Sequence, residues 1–189
     1  MQKPSEALVQ ADETAAEAVL PYEKSLPVRL LEYVADLGDQ PPMRILCGSV
    51  IAVGLIGGDR RLAGAGLRML AAHTLATLVK DAVKRRVDRS RPRSAAQPGK
   101  DARLRPGDSE AKEETSFPSG HSAGAAAVAR AFARSYPEHA APAYAAAGLL
   151  ALAQIPRCAH YPTDVGAGIA IGLAAEKAVD LAGTLVSGR

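Results

Sequence analysis

Three short clusters in this chain carry the residue types that handle anionic substrates. Residues 115–122 read Thr-Ser-Phe-Pro-Ser-Gly-His-Ser and lead into an alanine-rich run from Ala123 to Ala133. A proline, a cap-type serine, a glycine and a histidine ahead of such a run mark a helix start. The first N–H groups of a helix lack intrahelical partners and sit at the positive end of its dipole, so Ser119 and Gly120 form an anion seat. His121 then stands one residue from a bound phosphate. A plain helix cap with a surface histidine fits the same residues when they are taken alone.

The second cluster is basic. From Lys84 to Arg105 nine basic residues face two acidic ones, Asp88 and Asp101. A solvated face or an anchoring loop is the commoner source of such a run. Nucleic acid is disfavoured as a partner, because the aromatics that stack bases are absent here. Within the run, Lys84 and Arg91-Pro92 are separated by six residues. A helix end followed by a proline-fixed turn brings that ammonium and guanidinium to one phosphate.

The third cluster is Arg157-Cys158-Ala159-His160-Tyr161-Pro162-Thr163-Asp164. His160 and Asp164 are four apart, so the carboxylate can bond one ring nitrogen and leave the other as nucleophile or base. Two other readings stay open at this point. The pair can be a structural hydrogen bond, or it can ligate a metal with His121, although no further ligand follows at a familiar spacing.

The elements that must position these clusters are helical. The 189 residues suit one domain, rich in alanine and leucine, with two phenylalanines and no tryptophan, which favours an all-α fold. Apolar stretches run over 45–58, 62–79, 119–136, 141–155 and 164–186, and several are shorter than the ~20 residues that span a bilayer. Hydropathy therefore supports a membrane-embedded bundle of about five core helices and leaves a soluble bundle open. The 85–117 connection, with Pro92, Pro98, Gly99, Pro106 and Gly107, reads as a loop, and its length points to function.

Residues 1–42 hold eight acidic and three basic side chains. They read as an amphipathic segment with helices near 5–20 and 27–37, separate from a bundle domain over 43–189. The expected apolar faces are Leu8, Val9, Ala16, Val19 and Leu20, then Val28, Leu30, Leu31, Val34 and Leu37. Cys47 and Cys158 lie far apart and form no disulfide framework. The mixed polar start is unlike a secretory leader, so a secreted enzyme is not expected.

Together the clusters resemble the type 2 phosphatidic acid phosphatase family. Its Lys-x6-Arg-Pro motif matches Lys84 with Arg91-Pro92, and its Pro-Ser-Gly-His motif matches residues 118–121. Its third motif, Ser-Arg-x5-His-x3-Asp, keeps the His160 and Asp164 spacing, and the likeness covers about residues 62–186. One departure stands out: Gln154 occupies the family's arginine position, and Arg157 lies three residues, nearly one helical turn, further on. Pro156 disfavours helix at Ile155, so either Arg157 or Gln154 fills that role.

The resemblance implies a metal-independent phosphatase with no cofactor. His160 would be the nucleophile, Asp164 its orienting carboxylate and His121 the acid and base. Lys84, Arg91, Ser119, Gly120 and Arg157 would bind phosphate. It further implies a multi-pass protein of the inner or plasma membrane acting on a lipid or polyprenyl (pyro)phosphate. A soluble or peripheral phosphatase for small esters, and a non-enzymatic anionic-lipid-binding module, are the alternatives. The bias of positive residues towards the catalytic loops places that face in the cytoplasm.

Overall fold

The computed structural model describes residues 4–95 and 100–186; Pro98 and Gly99, counted among the loop breakers, lie outside them. The architecture is an all-α bundle. Helices α1 (Pro4–Val19) and α2 (Leu26–Asp36) precede the hairpin of α3 (Gln40–Ile56) and α4 (Arg60–Lys84). After the long connection come α6 (Gly120–Ser135), α7 (Ala140–Leu152) and α8 (Pro162–Val186), while α5 (Pro92–Ala95) is one turn inside the connection.

Helix α3 starts five residues earlier than the apolar run, because Pro41 and Pro42 fall in its first turn, where a missing N–H costs nothing. Helix α4 is capped by Asp59, whose Oδ1 accepts from the Leu62 N–H at 3.0 Å. It extends past Val79 to Lys84 and thereby carries that lysine to the end where the long connection begins. Helix α7 ends at Leu152, and residues 153–160 form turns. This is the break expected ahead of Pro156.

Helix α6 runs through the centre, against α4, α7 and α8. Its buried face is almost all alanine, so the core combines Ala123, Ala127 and Ala131 with Met43, Cys47, Met69, Leu150 and Ala175. Small side chains let the helices approach closely. A Cβ on Gly168 would meet the Ser119 carbonyl oxygen at 2.4 Å, and one on Gly172 the Ala123 carbonyl oxygen at 2.3 Å. These two glycines of α8 set the distance to the start of α6.

The connection after α4 is an ordered cover. Its short strands β1 (Val87–Asp88) and β2 (Arg105–Pro106) pair antiparallel. The Arg89 and Arg91 N–H groups donate to the Glu114 and Glu113 carbonyls at 2.7 and 2.8 Å, and the Ser116 N–H returns a bond to the Arg89 carbonyl. The molecule therefore has two distinct ends. One gathers the 85–119 connection, the 153–161 turns and the 37–39 turn between α2 and α3. At the other, Arg61 donates to the Ser135 carbonyl at 2.8 Å and pairs with Glu138.

The N-terminal helices lie against the first end in an unexpected way. The apolar face of α1 is only half-buried, and its fully buried residue is Asp12. In α2, Val28 and Ala35 turn inward, whereas Leu30 and, just past the helix end, Leu37, both expected on the apolar face, are exposed with Leu26 and Tyr33. The 26, 30, 33, 37 spacing makes that exposed set one continuous stripe.

Candidate active site

The start of α6, the 153–161 turns and the start of α8 meet at one point. The Ser119 N–H donates to the Asp164 carbonyl at 3.0 Å, which ties α6 to α8 where both begin. Asp164 is fully buried and is the hub of the cluster. Its Oδ1 lies 2.6 Å from Arg89 Nη1. Its Oδ2 accepts from the Tyr161 N–H at 2.9 Å and from the Ser116 hydroxyl. The same oxygen faces His160 Nδ1 at 3.7 Å.

His160 is 3% exposed. Burial pushes its pKa down to about 4; Asp164 opposes the fall, and the nearby positive charges of Arg91 and Lys84 add to it. The shift favours the neutral ring at ordinary pH, and Nδ1 is the nitrogen that faces Asp164, although at 3.7 Å it makes no hydrogen bond there. A neutral imidazole with one nitrogen directed by a carboxylate is the form a nucleophile requires.

Cations surround this ring. The Lys84 ammonium donates to the Thr115 carbonyl just ahead of the α6 start. Arg91 is anchored through Nε to the Lys112 carbonyl at 2.6 Å, and the charges acting on it include Asp164 and Arg157. Arg157 is pinned from below by Gln154, whose Oε1 accepts from Nη1 at 3.5 Å. Gln154 itself is fully buried and donates to the Leu150 carbonyl. The backbone carbonyl of Gln154 also accepts from the Ala159 and His160 N–H groups, closing the turn that carries both Arg157 and His160.

The α6 start keeps part of the anion seat open. Ser119 is fully buried, and its hydroxyl accepts from Ser122 N at 3.4 Å and Ser122 Oγ at 2.9 Å, so it serves as the helix cap. Gly120 lies against a residue that the motif reading overlooked. A Cβ at Gly120 would stand 3.1 Å from Lys80 Cδ and 3.8 Å from its Nζ. Lys80 is one helical turn before Lys84, so the i, i+4 spacing of two lysines at the end of a mainly apolar stretch was the available signal.

Three further groups had no signal of their own. Arg89 is 3% exposed and bridges Asp164 to Asp12 of α1, with its guanidinium 4.2 Å from the centre of the Tyr161 ring. Burial works against this charge, but the two carboxylates more than offset it and raise the Arg89 pKa. From the 36–39 turn, Asp36 Oδ1 lies 3.2 Å from Arg157 Nη2, and Asp39 Oδ1 lies 2.9 Å from His121 Nε2. Among the described residues, Asp36, Asp39 and His121 form the one His/Cys/Asp/Glu group with donor atoms close enough for an ion. The Arg157 guanidinium already pairs with that group, which makes it an ion-pair cluster.

The sequence and the fold have counterparts among known proteins. A family model describing the PAP2 superfamily matches residues 65–179, and the chain belongs to that family. Its fold is similar to that of the first transmembrane PAP2 type phosphatidylglycerolphosphate phosphatase from Bacillus subtilis, with a TM-score of 0.64 and 22% identity over 94% of this chain and 86% of that one. It is also similar to Aquifex aeolicus LpxE, with a TM-score of 0.61 and 19% identity over 87% of this chain and 91% of the other. No curated protein matches the sequence.

Proposed function

We propose that this chain is a membrane-embedded phosphatase that removes phosphate from a lipid or polyprenyl (pyro)phosphate through a phosphohistidine. The observation that carries the reading is the buried, neutral His160 facing Asp164 inside a ring of cations at the start of α6. The His160 Nε2 lone pair attacks phosphorus, and the bond from phosphorus to the leaving oxygen breaks. His121 gives its proton to that oxygen. Water then attacks the phosphorus, His121 takes the water's proton, and the P–N bond returns its pair to Nε2.

Lys84, Arg91 and Arg157, with the Gly120 N–H, hold the phosphoryl oxygens and offset the charge that would repel a nucleophile. Lys80 joins this set. Ser119 contributes through its cap, which fixes the direction of the free first-turn N–H groups. The scheme uses no cofactor and needs no metal ion.

The outer faces of the helices favour the membrane setting. Ile45, Leu46, Val53, Leu55 and Ile56 of α3, Leu67 and Leu78 of α4, and Leu149 and Leu152 of α7 are all exposed. Apolar exposure on this scale marks a surface that meets lipid or a partner. By length and hydropathy one helix, Arg60–Lys84, is sufficient to cross a bilayer by itself. The shorter α3 and α7 would cross only as parts of the bundle. Residues 1–42 act as an accessory segment covering the catalytic end.

Purified full-length protein tests the reading. Inorganic phosphate should be released from a panel of phosphatidyl, polyprenyl and sugar-lipid phosphates, and an acid-labile phosphoenzyme should be trapped on rapid quenching. His160→Ala should abolish both, and EDTA should leave the wild type active. Activity lost in EDTA and restored by a divalent ion would overturn the metal-independent scheme.

A further inference from the structure

Asp39 precedes α3 in the position that normally caps a helix. A capping aspartate accepts from the N–H of the second or third helical residue. Here those residues are Pro41 and Pro42, which have no N–H, and the Asp39 side chain makes no capping bond. Its carboxylate is free to turn elsewhere. It turns to His121, with Oδ1 2.9 Å from Nε2 but off the line of a well-formed N–H···O bond.

The neighbouring residue makes this approach possible. Gly38 is buried against the same ring, and a Cβ there would stand 3.1 Å from His121 Cδ2. The turn therefore packs on the imidazole through a residue with no side chain. Arg157 holds the other side of the turn through Asp36, at 3.2 Å. The charges acting on His121 are those of Asp39, Arg157, Asp36 and Arg91. Nε2 is the buried ring nitrogen and is taken up by Asp39, which leaves Nδ1 for a substrate.

We propose that Asp39 is the positioning residue for His121. It keeps a proton on Nε2 and turns Nδ1 towards the leaving oxygen, so that the segment before the family-matched region completes the acid–base machinery. The proposal rests on the phosphatase reading above. With the Nε2 contact to Asp39 closed into an N–H···O bond in the substrate complex, the proton given to the leaving alkoxide, and later taken from water, moves at Nδ1 alone. Burial holds the His121 pKa below its ordinary value, with Arg157 and Arg91 adding to the fall; the Asp39 carboxylate opposes it and so favours the imidazolium needed for the first of these steps.

Leaving-group dependence separates this role from a structural one. Octyl phosphate expels an unactivated alkoxide that needs a proton, whereas 4-nitrophenyl phosphate expels a stable phenolate that does not. In the full-length detergent-purified protein, Asp39→Asn should lower kcat on octyl phosphate by about tenfold or more, and on 4-nitrophenyl phosphate by less than about threefold. Asp39→Glu should recover part of the loss. Added to His121→Asn, which should show the same substrate dependence, Asp39→Asn should cost nothing further. Equal losses on both substrates, no loss, or an undiminished effect in the His121→Asn background would overturn the proposal. A wild type that hydrolyses neither ester would instead overturn the phosphatase reading, and this one with it.

Discussion

Arg89 Nη1 and Asp164 Oδ1 face each other at 2.6 Å with both side chains withdrawn from solvent, so the carboxylate beside His160 is itself held by a cation from the connecting loop. Arg89 Nη2 meets Asp12 of α1 at the same distance, and Asp12 also accepts from the Thr163 N–H and hydroxyl. One buried network thus joins the N-terminal helix to the start of α8.

Breaking a buried ion pair from one side leaves a charge without its partner. Asp12→Ala should therefore destabilise the protein by about 3 kcal/mol, read from denaturant unfolding in detergent. It should lower activity far less than Asp164→Ala, because Arg89 retains its catalytic-side partner. An unchanged unfolding midpoint would show that α1 contributes nothing through this contact.

The protonation of His160 sets a pH limit. Its folded pKa of about 4 lies below the ordinary value of 6.5. The neutral nucleophile should therefore persist to about pH 4, and the His160 limb of a kcat/KM profile should fall there. The sign for stability is the same. Between about pH 6.5 and 4 the unfolded chain binds the proton that the folded one refuses, so this histidine removes stability as the pH falls through that window. An imidazole titration near 6.5, present in the NMR spectrum of the wild type and missing from that of His160→Ala, would show that the ring is solvated.

Arg157 and Gln154 divide one role. Arg157→Ala should lower kcat by more than about tenfold, since charge-assisted bonds to phosphate are the strong ones. Gln154→Ala should have the smaller effect on rate. It removes the donor to the Leu150 carbonyl and should cost about 1–2 kcal/mol of stability. The reverse order of rates would make Arg157 a structural partner of Asp36.

Orientation is testable at Glu110, which is exposed on the connecting loop. With Cys47 and Cys158 replaced, Glu110→Cys should stay unlabelled by a membrane-impermeant thiol reagent in intact cells. Lys84, Arg85, Arg86, Arg89, Arg91 and Arg93 all belong to this end, and the positive-inside rule puts it in the cytoplasm. Labelling in intact cells would place the site outside.

Much of this was legible in the sequence, where spacing within one element does the positioning. His160 and Asp164, four apart, face each other, and residues 118–121 open a helix as their types require. The five apolar stretches all became helices, with ends shifted by prolines or caps. What pattern could not show was contact between distant segments. Arg89 looked like one cation among nine, and only folding buries it between Asp12 and Asp164. Asp39 carried no signal of its own, and only the prolines behind it, read with the position of His121, give its carboxylate another use. Leu30 and Leu37 fall on the apolar face with Val28, and amphipathic spacing cannot tell which part of such a face meets protein.

The far end of the bundle has its own charged layer, in which Arg130 and Arg134 of α6 clasp the buried Glu176 of α8, with Asp180 alongside. Along α8 the rise from Asp164 to Glu176 is about 18 Å, whereas the hydrocarbon core of a bilayer is about 30 Å thick. On the membrane reading, α4 is long enough to cross that core, but the distance between these two charged layers is short for it. The bilayer must thin around the protein or the arginines must snorkel, and thinning draws the surrounding headgroups down towards the start of α6. A substrate in that annulus would reach His160 with its chains still in the leaflet, so activity should rise in vesicles of shorter acyl chains.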